Sequence, residues 1–526
     1  MTRVFSKLRQ RLLERLFLFV ILPLFFLLLF PSLNEANEKE KEERGLSVKD
    51  CIDLALKRNL DIVIERINPQ IQEMEIFKEK AVFDPSFMLE VKNSKSSTEA
   101  SSSISGAGGE NIFSELLSLE WEDRLEQEGL DFKSRIAKKI ITGGKVELAF
   151  TTSEFKSNSF FQYNDKTYTS SLTLSLMQPL LRDFGITLNR TRLNIASNKH
   201  DMSADELKMK ITTVVSEIQV TYWDLVSAIE EMSLRLQSLE LAQNLLNRNR
   251  ALVNAGRLPT VAILHAETGV ASRKEGVLLA KNAARNAQDH LKRMIDLLDE
   301  PSHKEKTIFP SDKPVYVERK IKFADSYAIA QRNRPDLNQA KTALANQKLA
   351  FNLAKNQLLP KLDFLASYNL NNSNSHGDKI DDLLEGDTYS WEAGMALEIP
   401  LGTRLAKSQY TQEKMRLRMA EFELNNLKKE ILLDVKEAVR QFKTSLERVK
   451  VTRSAGILAK KKLKAEEEKF KLGRSTTTNL LEFQEEMTIA RTNENRALVD
   501  YQKSLIHWEA VTGQTIQNNN IEVLSR

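Results

Sequence analysis

The chain has 526 residues, of which 28% are charged and 7% aromatic, with 18 glycines and 12 prolines. This composition is typical of long solvated helices and excludes a single ordinary compact domain. The net charge of +5 comes from 77 basic and 72 acidic residues that are interspersed along the chain, so a nucleic-acid-binding patch is not indicated.

The N-terminus combines basic residues with an apolar run over 16–30. This pattern predicts a secretory signal peptide over 1–36, because a membrane-spanning helix needs about twenty apolar residues. A retained membrane anchor is the alternative, and Ala36 is the best candidate for the cleavage site. A charged tether is expected over 37–45. Cys51 is the only cysteine, which excludes an intrachain disulfide.

The remainder of the chain is an internal duplication. The offset is 24 residues in the pairs Asp61–Pro85 and Asp336–Pro360, and 11 residues in the pairs Tyr168–Pro179 and Tyr389–Pro400. We interpret 46–300 and 320–515 as two structural repeats, with a linker over 301–319 and a C-terminal tail over 516–526.

Each repeat begins with a short helical segment and continues with strands in which apolar and polar residues alternate, as in 168–179 and 389–400. One apolar and one polar face are typical of a membrane β-barrel wall, and a soluble β-sandwich is the alternative. Prolines flank these strands and predict the junction between strands and helices. They are Pro85, Pro179, Pro360 and Pro400.

A long helix closes each repeat, and the first extends from near 188 to 254. At 1.5 Å per residue such a helix is about 100 Å long. A coiled-coil rod would explain the helices but leaves the strands unexplained. Gly256 and Gly473 end the two long helices, because glycine accepts the left-handed conformation of a helix C-terminus. A following Ser or Thr can cap the return helix, which we expect over about 477–510.

Two strand pairs give four strands per chain, whereas the smallest bacterial membrane barrels have about eight. Lipid does not tolerate open strand edges, so several chains must share the barrel. Three chains would supply twelve strands, although counting alone does not separate a dimer from a trimer.

Several segments carry a family resemblance: "ALKRN", "FDPSF", "LMQPLLRDFG" with Asn189, the Gly256 and Gly473 tips, and "HWEAVTG". In this order and in duplicate they resemble the outer membrane efflux proteins of the TolC type over about 46–515. The resemblance implies a mainly α fold with β, built from a duplicated unit of helix, two strands and a long helical hairpin. It also implies a homotrimer whose 12-stranded β-barrel lies in the lipid of the cell outer membrane and continues as an α-helical barrel in the periplasm.

The function implied is a passive export duct of a tripartite efflux or type I secretion system. Its partners would be a periplasmic adaptor (membrane fusion) protein and an inner-membrane transporter, with no nucleic acid. The alternative is a periplasmic coiled-coil adaptor or structural rod without a pore. The six histidines are scattered without metal-ligand spacing, so we expect no enzyme, no metal and no cofactor.

Residues 93–167 depart from this layout, since the second repeat has a much shorter segment at the same place. The Gly143-Gly144 turn suggests a further hairpin, and the Ser-rich stretch over 94–109 suggests a flexible loop. We expect an extracellular elaboration. The alternative is two further wall strands, which would bring the barrel above twelve strands.

By the resemblance, Asn479 and Glu482 form the pore constriction, and they lie three residues apart on one helix face. The alternative is a capping box in which Asn479 and Glu482 open the return helix. Residues at the two tips are candidates for adaptor docking, and solvated turn charges are the alternative for the two arginines. The tip residues are Gly256, Arg257, Gly473, Arg474 and Ser475.

Overall fold

A computed structural model describes residues 45–99, 124–157, 166–297, 308–374 and 388–523. The expected signal peptide and nearly all of the charged tether lie outside these residues. The Ser-rich stretch is divided: residues 94–99 belong to a strand, and the rest lies outside the described residues.

The first repeat consists of helices, a block of strands, and a helical hairpin. The elements are α1 (Val48–Arg58), α2 (Leu60–Ala81), β1 (Ser86–Glu99), β2 (Arg124–Lys139), β3 (Lys145–Ser157), β4 (Lys166–Pro179), the one-turn α3 (Ile186–Asn189), α4 (Thr191–Asn254) and α5 (Val261–Met294). A capping box between Ser47 and Asp50 starts α1, and the Asn59 side chain accepts hydrogen bonds from the first backbone N–H groups of α2.

The second repeat follows the same order with one strand pair. Its elements are α6 (Phe323–Asn333), α7 (Pro335–Asn356), β5 (Lys361–Asn374), β6 (Tyr389–Glu398), α8 (Arg404–Lys471), α9 (Thr477–Thr512) and the one-turn α10 (Thr515–Asn518). The predicted duplication of helices, strands and a long helical hairpin is therefore confirmed. Among the described residues, no helix combines the length and the apolar character that crossing a membrane requires.

All six strands form one antiparallel sheet in the order β1-β2-β3-β4-β5-β6. The two repeats meet within this sheet, because β4 pairs with β5 and brings Leu174 opposite Tyr368. The expectation of four strands per chain was too low. The segment over 93–167, expected as an elaboration outside the wall, supplies β2 and β3 to the same sheet, because both carry the alternation that the sheet requires.

The long helices α4 and α8 have 64 and 68 residues, which corresponds to about 100 Å each at 1.5 Å per residue. Next to the sheet, helices pack in the order α2, α4, α7, α8; at the far end the order is α5, α4, α9, α8. The largest core cluster surrounds Ile211, Ile218 and Tyr222 of α4, which are fully buried. Burial of this helix face, with its steps of three and four residues, accounts for the side-by-side packing.

Residues 308–322 connect the repeats as an extended segment that lies across both helical hairpins. The backbone N–H of Asp312 donates to the Tyr222 hydroxyl at 3.1 Å, and the Gln502 side chain donates to the carbonyl of Val315 at 2.6 Å. The Tyr501 hydroxyl donates to the carbonyl of Val317. These contacts fasten α4 and α9 to one strap of backbone.

Candidate functional site

The sheet has one continuous apolar face. Residues paired across neighbouring strands share a face, so the register identifies rows that cross all six strands. One such row consists of Phe87, Ile136, Leu148, Leu174, Tyr368 and Trp391. Trp391 is 67% exposed and Leu174 49% exposed, so the residues that the structure describes leave this face uncovered. Exposed contiguous apolar surface of this extent marks contact with another apolar phase.

The opposite face is polar. The row next to the one above consists of Met88, Arg135, Ala149, Thr173, Asn369 and Ser390. Hydroxyl and amide side chains dominate β4 and β5, while β2 and β3 carry ion pairs, with Glu147 3.5 Å from Arg135 and 2.8 Å from Lys145. This face suits contact with water.

Both edges of the sheet are free, since no described strand pairs with the outer side of β1 or of β6. The helices that continue these edges also expose apolar side chains. On α2 these are Leu60, Ile64, Ile67, Ile71 and Met74, and on α8 they are Met415, Met419 and Phe422. A strand edge and an apolar helix seam therefore lie together on each side of the chain.

The turn of the β2–β3 hairpin is bound to the loop that follows β4. Gly143 has a φ of +99°, and an added Cβ would lie 2.3 Å from the carbonyl oxygen of Asp183. The Asn189 side chain donates to that same carbonyl at 2.7 Å, and the backbone N–H of Gly185 donates to the carbonyl of Thr142 at 3.0 Å. The Gly143-Gly144 turn therefore lies at the end of the sheet where strands meet helices.

The four prolines lie at this same end. Pro85 and Pro360 directly precede β1 and β5, Pro179 is the last residue of β4, and Pro400 follows β6 by two residues. Their assignment to the junction of barrel and helices remains a prediction, because it depends on the assembled wall. Proline suits such places, since it lacks the N–H that a continuing helix or an inner strand would use.

The two helical tips have the same backbone geometry. Gly256 and Gly473 have φ values of +67° and +71°, as the sequence predicted. In each tip the following arginine closes a Schellman motif: the N–H of Arg257 donates to Leu252 O, and that of Arg474 to Lys469 O, both at 2.9 Å. An added Cβ at either glycine would meet open space. Both tips thus end their helices without contact to other elements at the glycine itself.

Helix α9 begins at Thr477, and the Thr476 hydroxyl accepts from the backbone N–H of Asn479 at 3.2 Å. The alternative in which Asn479 caps the helix is therefore wrong, because the run of threonines supplies the cap three residues earlier. Asn479 and Glu482 are exposed, while Leu480 between them is buried. The structure brings the two side chains onto one open helix face, and their role in a constriction remains a prediction.

Buried polar contacts hold the tips together, and they were not predicted from the sequence. Asn249 of α4 is fully buried and donates to the carbonyl of Ala262 at 3.2 Å and to the Thr477 hydroxyl at 2.9 Å. The Ser475 hydroxyl donates to Glu466 at 2.6 Å and, as the main cause, lowers the pKa of that carboxyl. Ser475, predicted as a docking residue, is thus also engaged within its own turn.

Arg273 of α5 connects the two hairpins further from the tips. Its guanidinium is 9% exposed and donates to the Ser238 hydroxyl at 3.0 Å and to the carbonyl of Leu481 at 2.9 Å. Burial lowers the pKa of Arg273, and Glu485 at 3.9 Å opposes this shift. A lone arginine on a helix face carries no sequence signal, so this contact was not predicted.

Within the described residues, no group of His, Cys, Asp or Glu could hold a metal ion. The exposed sheet face, the free edges and the tips are open to contact with other molecules.

A sequence profile described as "Outer membrane efflux protein" matches residues 146–296 and 327–514. The match contains β3, β4, α4 and α5 of the first repeat and nearly all of the second. No curated protein sequence matches the chain significantly.

Solved structures share the fold at low sequence identity. The CmeC outer membrane channel of Campylobacter jejuni matches with a TM-score of 0.61 and 16% identity, covering 94% of this chain and 98% of that one. The open-state MtrE outer membrane channel of Neisseria gonorrhoeae matches at 0.59 with 16% identity and 89% of both chains. The outer membrane protein VceC of Vibrio cholerae matches at 0.58 with 13% identity, covering 89% of this chain and 96% of that one.

Proposed function

The chain belongs to the outer membrane efflux protein family, and from this premise we propose that it is the passive export duct of a tripartite efflux or type I secretion system. It is an outer-membrane protein whose helical part lies in the periplasm. The observation that carries the proposal is the apolar row that crosses all six strands above two long helical hairpins. A periplasmic rod would leave this face exposed to water, which is costly for contiguous apolar surface.

The duct is proposed to be a homotrimer in which each copy contributes one sector of the wall. Helix α2 leads into β1 and β6 leads into α8, so each edge of the sector has a free strand and an apolar seam. The strand number per copy is even, so β6 of one copy and β1 of the next run antiparallel. A ring of copies then leaves no open strand edge in lipid.

Replacing Phe422 with Arg tests this assembly. Phe422 is 71% exposed in the single chain, so its replacement leaves folding of the chain intact and places a charge in the proposed seam. Leu236→Arg is the matched control, because Leu236 is an exposed apolar residue on α4, which has helices on both sides. We expect light scattering in detergent to give a trimer for the native chain and for Leu236→Arg, and smaller species for Phe422→Arg. A native chain that stays monomeric would refute the proposal.

At the far end, we propose that Asn479 and Glu482 line the mouth of the duct. Both are exposed on the first turns of α9, just past the Gly473 tip. Threefold symmetry would bring three Glu482 carboxylates around one axis, where like charges attract cations and repel anions.

Ion selectivity in planar bilayers tests this position. We expect a modest cation preference that falls in Glu482→Gln and rises in Asn479→Asp, which adds a second ring on the same face. Glu468→Gln is the control, since it removes the same charge near the tip from a residue paired with Lys471 at 2.6 Å. Equal ion selectivity in all four proteins would exclude Asn479 and Glu482 from the mouth of the duct.

The tips are proposed to dock a periplasmic adaptor protein, which in turn connects an inner-membrane transporter. Gly256→Val with Gly473→Val should weaken capture of the adaptor encoded nearest to this protein, because valine disfavours the positive φ of these turns. A Cβ added at either glycine meets no other atom within 4 Å, so the substitutions should act on the turns alone. Asparagine at both positions is the control, since it tolerates the left-handed region. Unchanged capture by the valine variant would remove the tips from the interface.

A further inference from the structure

The helical layer beneath the sheet has a definite width. Next to the sheet, each copy presents four helices side by side, α2, α4, α7 and α8. Packed helix axes are about 8–10 Å apart, so this layer occupies roughly 32–40 Å of the circumference of a tube.

The sheet can be measured on the same scale. Strands lie about 4.8 Å apart, and a tilt of about 35–45° stretches each strand to roughly 6–7 Å of circumference. Four strands would span roughly 23–27 Å. The six strands of this chain span roughly 35–41 Å, which agrees with the layer beneath.

The β2–β3 hairpin continues both the apolar and the polar face of the sheet. Ile136 and Leu148 occupy the middle of the apolar row between Phe87 and Leu174. At the junction, its turn is fixed by the hydrogen bond from the backbone N–H of Gly185 to the carbonyl of Thr142. A loop elaboration would require neither the shared apolar row nor this anchored turn.

We propose that the β2–β3 hairpin widens the transmembrane wall, so that three copies close an 18-stranded barrel as wide as the helical tunnel. This inference rests on the proposed export duct and specifies its dimensions. Such a barrel is about 35 Å across its backbone, against about 24 Å for twelve strands. Several α-helices, each about 10–12 Å thick, fit side by side within it. The barrel is therefore wide enough for bulky or polymeric cargo.

Distances between spin labels on the three copies test the width. Thr173 lies on the polar face of β4, and the native Cys51 is fully buried, so Thr173→Cys gives one accessible label per copy. Pulsed electron paramagnetic resonance on the full-length trimer should give about 30 Å between labels for eighteen strands and about 20 Å for twelve. Deletion of 124–157 leaves β1 and β4 antiparallel and should shorten the distance by about 10 Å.

A label at Thr213, which is exposed on α4 in the helical layer, is the control. The distance between these labels should be the same in the full-length trimer and in the variant that lacks the hairpin. A distance of about 20 Å between the residue 173 labels of the full-length trimer would refute the 18-stranded barrel but not the proposed export duct. This reading does not depend on whether the deletion variant folds. Absence of any defined distance between copies, with no trimer, would refute the duct itself.

Discussion

Gly513 and Gly473 have the same backbone conformation, but they differ in the space that is available to an added side chain. Both end a long helix with φ near +70°, at +72° and +71°. An added Cβ at Gly513 would lie 2.9 Å from the carbonyl carbon and oxygen of Asn333, whereas at Gly473 nothing lies within 4 Å. We therefore expect Gly513→Ala to be the more damaging substitution.

The magnitudes follow from these contacts. Alanine in the left-handed region costs about 1–2 kcal/mol, and this applies to both positions. At Gly513 the backbone between α6 and α7 must also move, and forcing extra volume into packed structure costs about 1–3 kcal/mol. The loss of unfolding free energy should thus be about 2–5 kcal/mol for Gly513→Ala and about 1–2 kcal/mol for Gly473→Ala.

Thermal unfolding in detergent, followed by far-ultraviolet circular dichroism at one heating rate, measures the difference. The observable is the gap between the two variants, since both share the native protein as reference. Equal losses of unfolding free energy in the two variants would refute this prediction, because they would mean that the backbone at Asn333 moves away from the new methyl group without loss of stability.

Three further outcomes are expected from the helical part. Phe442 is 1% exposed against Tyr501, so Phe442→Ala should lower the unfolding free energy by about 3–5 kcal/mol, and Phe442→Leu should lose much less in the same melt. Arg273→Lys should lose about 2 kcal/mol, because a buried charge keeps fewer partners, whereas Arg273→Met should lose less; a larger loss for Met would contradict this. Burial raises the pKa of Glu509, so its contribution to stability is complete below its ordinary pKa and is lost as pH rises through the raised value. Glu509→Gln should therefore raise the melting temperature near pH 7 and leave it unchanged near pH 4, and a gain that is equal at both pH values would contradict the pKa shift.

The helices and tips were predictable because local rules decide them. A face with steps of three and four residues specifies α4 and α8, and Gly256 and Gly473 specify where they end. A Ser or Thr cap and a start near 477 were expected for α9 and are confirmed, but the sequence left Asn479 as an alternative cap, since Thr476, Thr477 and Asn479 can all accept a cap hydrogen bond. Only the position of the turn selects Thr476.

The wall was harder to predict, because strand partners are not local. The Gly143-Gly144 turn indicates a hairpin, but the same turn serves in a loop and in a sheet. What decides is the register that places Ile136 and Leu148 in one row with Leu174, and this becomes visible only when the strands are paired. Arg273 and Asn249 were missed for the same reason, since their partners lie on other helices.

The pairing of β4 with β5 also has a kinetic consequence. The paired residues Pro179 and Asp363 are 184 positions apart, so closing this contact must await synthesis and export of the chain as far as β5. Contacts at such sequence separation form slowly, because the intervening chain loses much entropy on closure. Until then β4 has an open hydrogen-bonding edge, which is a template for aggregation. The contacts between α4 and α5 join segments that are adjacent in sequence and can form during this delay, so this hairpin should form before the sheet is complete.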